Sequence, residues 1–256
     1  LFLLPIFLLG SASSMSFWKG NWYLALLFLV LLGGLNAFFL FNRKTIVLVE
    51  REDWGELSAH LVKLMFPTGR FRSSRVRLLV NAYLLQSDIA GIERLEAELS
   101  SKKPELLRKN ALLFGVTRLL GGKHGEAEVF FARYLDAKDV DSRQWLRFDY
   151  GFSLVLQKRL AEALLYLEEG SAARDPVLCL ISAYLMNSVG VASAADETEK
   201  ARLFEKAAGV RDRLRKRYSS AKWVKEVERA KNEMHIVILS RLIDDAGRWL
   251  FPASKA

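Results

Sequence analysis

The sequence predicts an all-α protein, with one N-terminal helix that crosses a membrane and a charged helical domain behind it. Three observations carry that prediction. Charge is segregated: residues 1–42 hold a single charged side chain, Lys19, while residues 43–256 hold the other 37 Lys and Arg and all 29 Asp and Glu. Beyond residue 43, apolar residues recur at three- and four-residue spacing, as in Leu57, Leu61 and Leu64, in Val76, Leu79, Val80 and Tyr83, and in Val129, Phe130, Ala132 and Leu135. Only Pro67, Pro104, Pro176 and Pro252 interrupt that part, and sustained alternation of the strand type is missing. The segregation argues against a simple soluble globule and against a polytopic transporter, and the apolar content of the charged part argues against disorder.

The anchor is read as residues 23–44. Gly20 to Asn42 is uncharged, and about 20 residues at about 1.5 Å each cross a hydrocarbon core of about 30 Å. Trp18, Trp22 and Tyr23 stand at one end, where amphipathic rings favour the headgroup layer, and Arg43 and Lys44 close the other. Gly33, Gly34 and Asn36 either face lipid or help helices pair. Residues 1–22 form an apolar and loop segment. Leu1–Gly10 reads as a signal-like core, half of a membrane hairpin or upstream sequence, and the start is read as Met15 or a non-standard start codon. Lys19 against Arg43, Lys44 and Arg51 places the anchor in the cell (inner) membrane with the domain leaning to the cytoplasm, the periplasm staying open.

Residues 45–188 repeat. A shift of 36 aligns Leu79, Gly115 and Gly151, then Gly91, Ala127 and Ala163, then Leu95, Phe131 and Leu167, then Pro104, Val140 and Pro176. Small residues at such positions let two helices cross at close range, and proline starts a new helix after a stop. The stretch Gly122-Lys123-His124-Gly125-Glu126-Ala127-Glu128-Val129-Phe130-Phe131-Ala132-Arg133-Tyr134-Leu135 resembles the turn and second helix of a tetratricopeptide repeat (TPR). Leu160–Leu167 and Leu79–Leu85, with Pro104 closing its unit, are similar. Asp53–Leu57, running on through Leu61 and Leu64, reads as the second helix of a first unit whose partner is Phe41–Glu50. Pro176–Met186 opens another unit, interrupted by a loop over Val189–Asp196. The period differs from the usual one of about 34, and Leu79 stands where a small residue is usual. The resemblance implies a TPR-like α-solenoid of helical hairpins. Residues 189–256 supply a loop and capping helices over roughly 196–217 and 221–250, because a solenoid end must cover its apolar face.

Catalytic chemistry is not visible. His60, His124 and His235 are far apart and read as surface or cap residues; Gly121-Gly122-Lys123-His124 follows a helix and lacks the pattern of a phosphate loop, so it reads as an inter-helix turn. Cys179 sits in an apolar run and reads as a small core residue. No enzyme activity, cofactor or metal is expected.

The surface offers more. In a stack of hairpins the first helices line the concave side, and their stripe comprises Val76, Val80 and Tyr83, then Leu112, Val116 and Leu119, then Trp145, Phe148 and Phe152. Such a groove suits an apolar or amphipathic helix, either from another protein or from the C-terminus of this chain. Two basic clusters stand out: Arg70, Arg72, Arg75 and Arg77, and Arg211, Arg213, Arg215, Lys216 and Arg217. On a tethered domain of net charge +8 they suit anionic headgroups or remain a solvated face, and nucleic acid is disfavoured. The expected function is a membrane-anchored scaffold that docks proteins into a membrane-associated assembly. The alternatives are an assembly or regulatory factor that holds a client helix transiently, and an enzyme with a divergent helical domain. A homo-oligomer is compatible with all of these.

Overall fold

The computed structural model describes residues 21–194, 196–231 and 234–252. The expectations for Leu1–Gly10, Met15, Trp18 and Lys19 lie outside the described residues. All regular structure among the described residues is helical, with no strand. The chain divides into two compact units between Leu61 and Val62.

The first unit is dominated by α1 (Trp22–Glu50). Its uncharged part, Trp22–Asn42, is long enough for a hydrocarbon core of about 30 Å. The large apolar side chains along it are exposed, up to 88% at Phe41. The two amides within it are satisfied locally: Asn36 donates to the Leu32 carbonyl at 3.0 Å and Asn42 to that of Phe38 at 2.8 Å. A helix in hydrocarbon needs such local partners, because lipid offers none. Helix α2 (Trp54–Met65) follows a three-residue turn, and Asp53 caps it by accepting from the Glu56 amide at 2.9 Å.

The second unit runs through α3 (Ser73–Leu85), α4 (Ile89–Lys102), α5 (Pro104–Lys109), α6 (Ala111–Leu120), α7 (His124–Ala132), α8 (Arg143–Leu156), α9 (Leu160–Ser171) and α10 (Pro176–Leu185). It ends in α11 (Glu197–Arg217), α12 (Ser220–Ala230), α13 (Met234–Ile238) and α14 (Ser240–Leu250). Consecutive helices pack on one another from α6 to α10, and α6 also packs on α8. Most residues aligned by the 36-residue shift are buried, with Leu79, Leu95, Ala127, Phe131, Ala163 and Leu167 in the core, while Pro104 is exposed and Pro176 half-buried. At Gly115 and Gly151 the helices come so close that an added Cβ would strike the Phe131 ring and, at 2.6 Å, the Tyr166 Cβ. Pro104 and Pro176 each begin a helix, the position where a missing amide proton costs least.

The turn between paired helices is repeated in its backbone bonds. Glu52, Ser87, Gly122 and Lys158 all adopt positive φ, at 54°, 57°, 70° and 63°. In each case that residue donates to the carbonyl three back, and the next residue donates to the carbonyl five back, at 2.8–3.1 Å. This is the Schellman closure of a helix end. The four turns are 35, 35 and 36 residues apart, and one of them is the Gly121–His124 stretch, an inter-helix turn and not a phosphate loop.

Two expected boundaries need correction. The helix of α10 does not give way to a loop at Val189. It widens into a π turn over Met186–Gly190 and a 3₁₀ turn over Val191–Ser193, with Gly190 admitted between Leu164 and Leu203. The expected helix over 221–250 is three helices. An unbroken rod would carry Met234–Leu242 past the surfaces it covers; the breaks let α13 pack on α6 while α14 packs on α10. Pro176–Ser193 is also long and apolar enough to cross a membrane, but it is 56% buried in its own unit and packs against α9, α11 and α14 as a core helix does.

Candidate functional site

The groove predicted along the first helices exists as a stripe of side chains, and the chain itself covers it. Val76, Val80, Tyr83, Leu112, Val116, Leu119, Trp145 and Phe148 are buried; Phe152 is half-buried. The sequence left two occupants open for this stripe, a partner's helix and the C-terminus of this chain. On α6 the cover is the C-terminal segment, where Ile236, Ile238, Leu239, Leu242 and Ile243 form an apolar run in a charged context and α13 lies on α6; on α3 it is the packing of α4 and α6. Over α6 and α8, of the two occupants the stripe suits, the structure holds the internal one.

Aromatic packing builds the floor. On α8, Trp145 meets Phe148 edge-on at 5.9 Å between centroids, and Phe148 stacks on Phe152 at the same distance. The residues lie three and four apart, so they share one helix face. Trp145 is fixed from below by Asp175, whose carboxylate accepts its indole proton at 3.0 Å. The same carboxylate caps α10 by accepting from the amides of Val177 and Leu178. His235 of α13 packs edge-on against Trp145, with centroids 4.8 Å apart. This histidine was expected at a surface or cap; it is buried, and its Nε2 has no hydrogen-bond partner. Burial holds its pKa down to about 4, against a smaller opposing pull from Asp175.

One turn along α8 stands Asp149. It is fully buried, and neither carboxylate oxygen has a partner. Burial raises its pKa well above the ordinary carboxylate range. Asp149, Phe152 and Leu156 line a cavity of about 420 Å³ together with Val116, Leu119, Leu120 and His124 of α6 and α7, and with Ile238, Leu239, Arg241, Leu242 and Asp245 of the C-terminal segment. Sequence reasoning passed over Asp149 and placed His235 at a surface or cap. The available signal was a lone carboxylate on the helix face that carries Trp145, Phe152 and Leu156.

The basic residues do not form two plain patches. Arg70 and Arg72 are exposed and Arg75 is half-buried, while Arg77 pairs with Asp141 and donates to Asn110 at 3.1 Å. On α11, Arg211 lies over the Trp249 ring at 5.2 Å, and Arg215 donates to the Leu250 carbonyl at 2.6 Å. Arg213 points elsewhere, donating to the Ser171 carbonyl and to the Cys179 sulfur, both at 3.3 Å, and Arg217 covers Tyr218. Lys216 is exposed. Much of this charge fastens helix ends and aromatic rings within the unit. Cys179 is buried, donates to the Ser171 carbonyl, and has its thiol pKa pushed up by burial. No group of three or more His, Cys, Asp and Glu among the described residues is arranged to hold a metal ion.

A family model described as "Uncharacterised Treponema protein" matches residues 91–252. The chain belongs to this family. The matched span runs from Gly91 of α4 to Pro252 and so includes the whole of α6, α8 and the C-terminal segment. An "Uncharacterized protein" of Treponema pallidum (strain Nichols) is 32% identical over 258 residues, covering 98% of this chain and 81% of that protein. No solved structure matches the chain.

Proposed function

We propose that this member of the family is a membrane-anchored, TPR-like repeat protein whose work is protein–protein interaction, as a scaffold in a membrane-associated assembly. The observation that carries the reading is the fourfold recurrence of one helix-to-helix turn at Glu52, Ser87, Gly122 and Lys158. The first of these turns directly follows an exposed apolar helix of membrane-spanning length. Repeated hairpins cannot bury their apolar faces singly, so stacking them makes an extended surface of the kind that holds other polypeptides. The anchor sits in the cell membrane, and the excess of Arg43, Lys44 and Arg51 over Lys19 favours a cytoplasmic domain.

A specific observation favours the transient-factor reading as the second choice. The stripe on α6 and α8 is filled by the chain's own α13 and following residues, so a client helix would have to displace them. Co-purification with the anchor retained separates the readings. Stoichiometric, salt-resistant partners support the scaffold, and weak capture that rises when Leu239→Asp loosens the C-terminal segment supports the factor. No captured protein under either condition would contradict both. Labelling of a Thr45→Cys thiol in intact cells reports the membrane face, with the buried Cys179 silent.

A further inference from the structure

We propose that the cleft between α5 and the α7–α8 connection is a binding site for a phosphate monoester with an apolar body, whose charge is received by Lys109 and Lys138. The cleft holds about 550 Å³, within the range of small-molecule sites. Phe71, Leu106 and Val140 give it an apolar floor, and Phe71 and Val140 are buried. Its walls are held from beneath. Asn110, 3% exposed, accepts from the Ser73 hydroxyl at 3.0 Å and from Arg77 Nε at 3.1 Å, and it donates to the Leu106 carbonyl at 2.8 Å, so it ties α3 to α5. The Asp141 amide donates to the Lys109 carbonyl at 2.9 Å and ties the α7–α8 connection to the same helix. A site whose walls are fixed before the ligand arrives loses less on binding.

The charges select the ligand. Every acidic side chain on the cleft already has a cation: Arg108 holds Asp139 through two bonds at 2.8 and 2.9 Å, Arg77 holds Asp141, and Lys103 stands 3.8 Å from Glu105. Lys109 and Lys138 are exposed, line the cleft and pair with no acid among the described residues. Each ammonium rides on a flexible four-carbon stem and brings three donors, so both can reach one oxyanion group in the volume they share. Two unpaired positive charges match a phosphate monoester, which carries about −1.5 to −2 at neutral pH. A sulfate ester of the same shape carries one charge and leaves one lysine uncompensated, and a cation meets acids that are already taken. The apolar floor sets an ester with an aromatic or alkyl body apart from free phosphate. These walls come from α3, α5 and the connections beside them, so the site stands whether or not the groove holds a client.

The test uses the full chain in phosphatidylcholine nanodiscs at pH 7.5 and low salt, titrated by calorimetry with phenyl phosphate, phenyl sulfate and inorganic phosphate. Phenyl phosphate should bind saturably, with a Kd about tenfold below those of the other two. Lys109→Gln combined with Lys138→Gln should weaken it about tenfold at an unchanged unfolding midpoint, since neither lysine side chain pairs within the fold. Lys222→Gln combined with Lys225→Gln, at two exposed lysines of α12, makes the same change in net charge and should leave the Kd within about twofold. Nanodiscs carrying phosphatidic acid separate the two sources of the group. Affinity for phenyl phosphate that falls there but not in phosphatidylglycerol discs of equal charge makes the ester a lipid headgroup, and affinity that holds makes it a soluble molecule, either result upholding the site. Absent or unsaturable binding of phenyl phosphate would overturn the proposal, as would equal binding of phenyl sulfate or inorganic phosphate, a Kd unmoved by the Lys109 and Lys138 changes, or an equal loss in the α12 control.

Discussion

The interior of the hairpins and the floor of the groove are both buried, yet they are built by opposite rules. Between α6 and α7 the Phe131 ring fills the space that Gly115 leaves, and between α8 and α9 Tyr166 does the same for Gly151. Ion pairs knit these helices at their edges, Arg147 with Glu169 inside one hairpin and Arg118 with Glu96 and Arg159 with Glu128 between neighbouring ones; Arg159 also pairs with Glu162, and these pairings raise the Arg159 pKa and lower that of Glu162. The groove floor instead keeps Asp149 and His235 without partners beside an unfilled cavity. Buried atoms without a partner also occur at Asn81, His124, Ser182 and Arg211, but Asp149 stands apart because both of its carboxylate oxygens are left so, a cost that packing with an apolar residue would have avoided.

The contrast can be broken at its strongest point. Phe131→Ala should remove about 3–5 kcal/mol from stability, because Gly115 has no side chain to refill the space, and chemical denaturation will read it. A loss below about 1 kcal/mol would mean that the hairpin interior is as loose as the groove.

Acid should attack the groove floor first. His235 has a folded pKa below its unfolded value of about 6.5, so neutral His235 contributes fully above pH 6.5 and loses that contribution as pH falls toward 4. The loss amounts to about 3 kcal/mol at its limit, and His235→Leu should flatten the acid limb of a Tm-against-pH curve. Asp149 has the opposite sign: its raised pKa favours the fold at low pH, and that advantage fades as pH rises above about 3.9. Asp149→Leu in the ligand-free chain should therefore gain about 1–2 kcal/mol at pH 7, measured by urea unfolding.

The smallest effect sharpens the hairpin side. Lys158 holds a left-handed conformation that glycine adopts without strain, as Gly122 does at the equivalent turn. Lys158→Gly should stabilise by about 0.5–1 kcal/mol, and Ser87→Gly by a similar amount, with no change in helicity by circular dichroism.

Much of the hairpin side was legible in the sequence. Glycine or alanine at 91, 115, 127, 151 and 163 and large apolar residues at 95, 131 and 167 reflect contacts within and between neighbouring helices, and such local contacts leave a period. The turns at Ser87 and Lys158 were less visible, since neither residue carries the glycine signature that Gly122 does. The breaks around α13 were not legible, because they depend on where Met234–Leu242 docks and that surface lies more than 80 residues earlier in the chain. Asp149 looked like an ordinary solvated carboxylate, because its burial comes from helices that pack around α8 and leave no mark in the local sequence.

That return of the C-terminal segment onto α6 and α8 is the central claim, and thiol reactivity tests it directly. Val116 lies on α6, lines the cavity and is 1% exposed. In a Cys179→Ser background, a Val116→Cys thiol in the full chain should label slowly, and Leu239→Asp should accelerate it at least tenfold while helicity stays intact. Rapid labelling without Leu239→Asp, or an unchanged slow rate with it, would contradict the account.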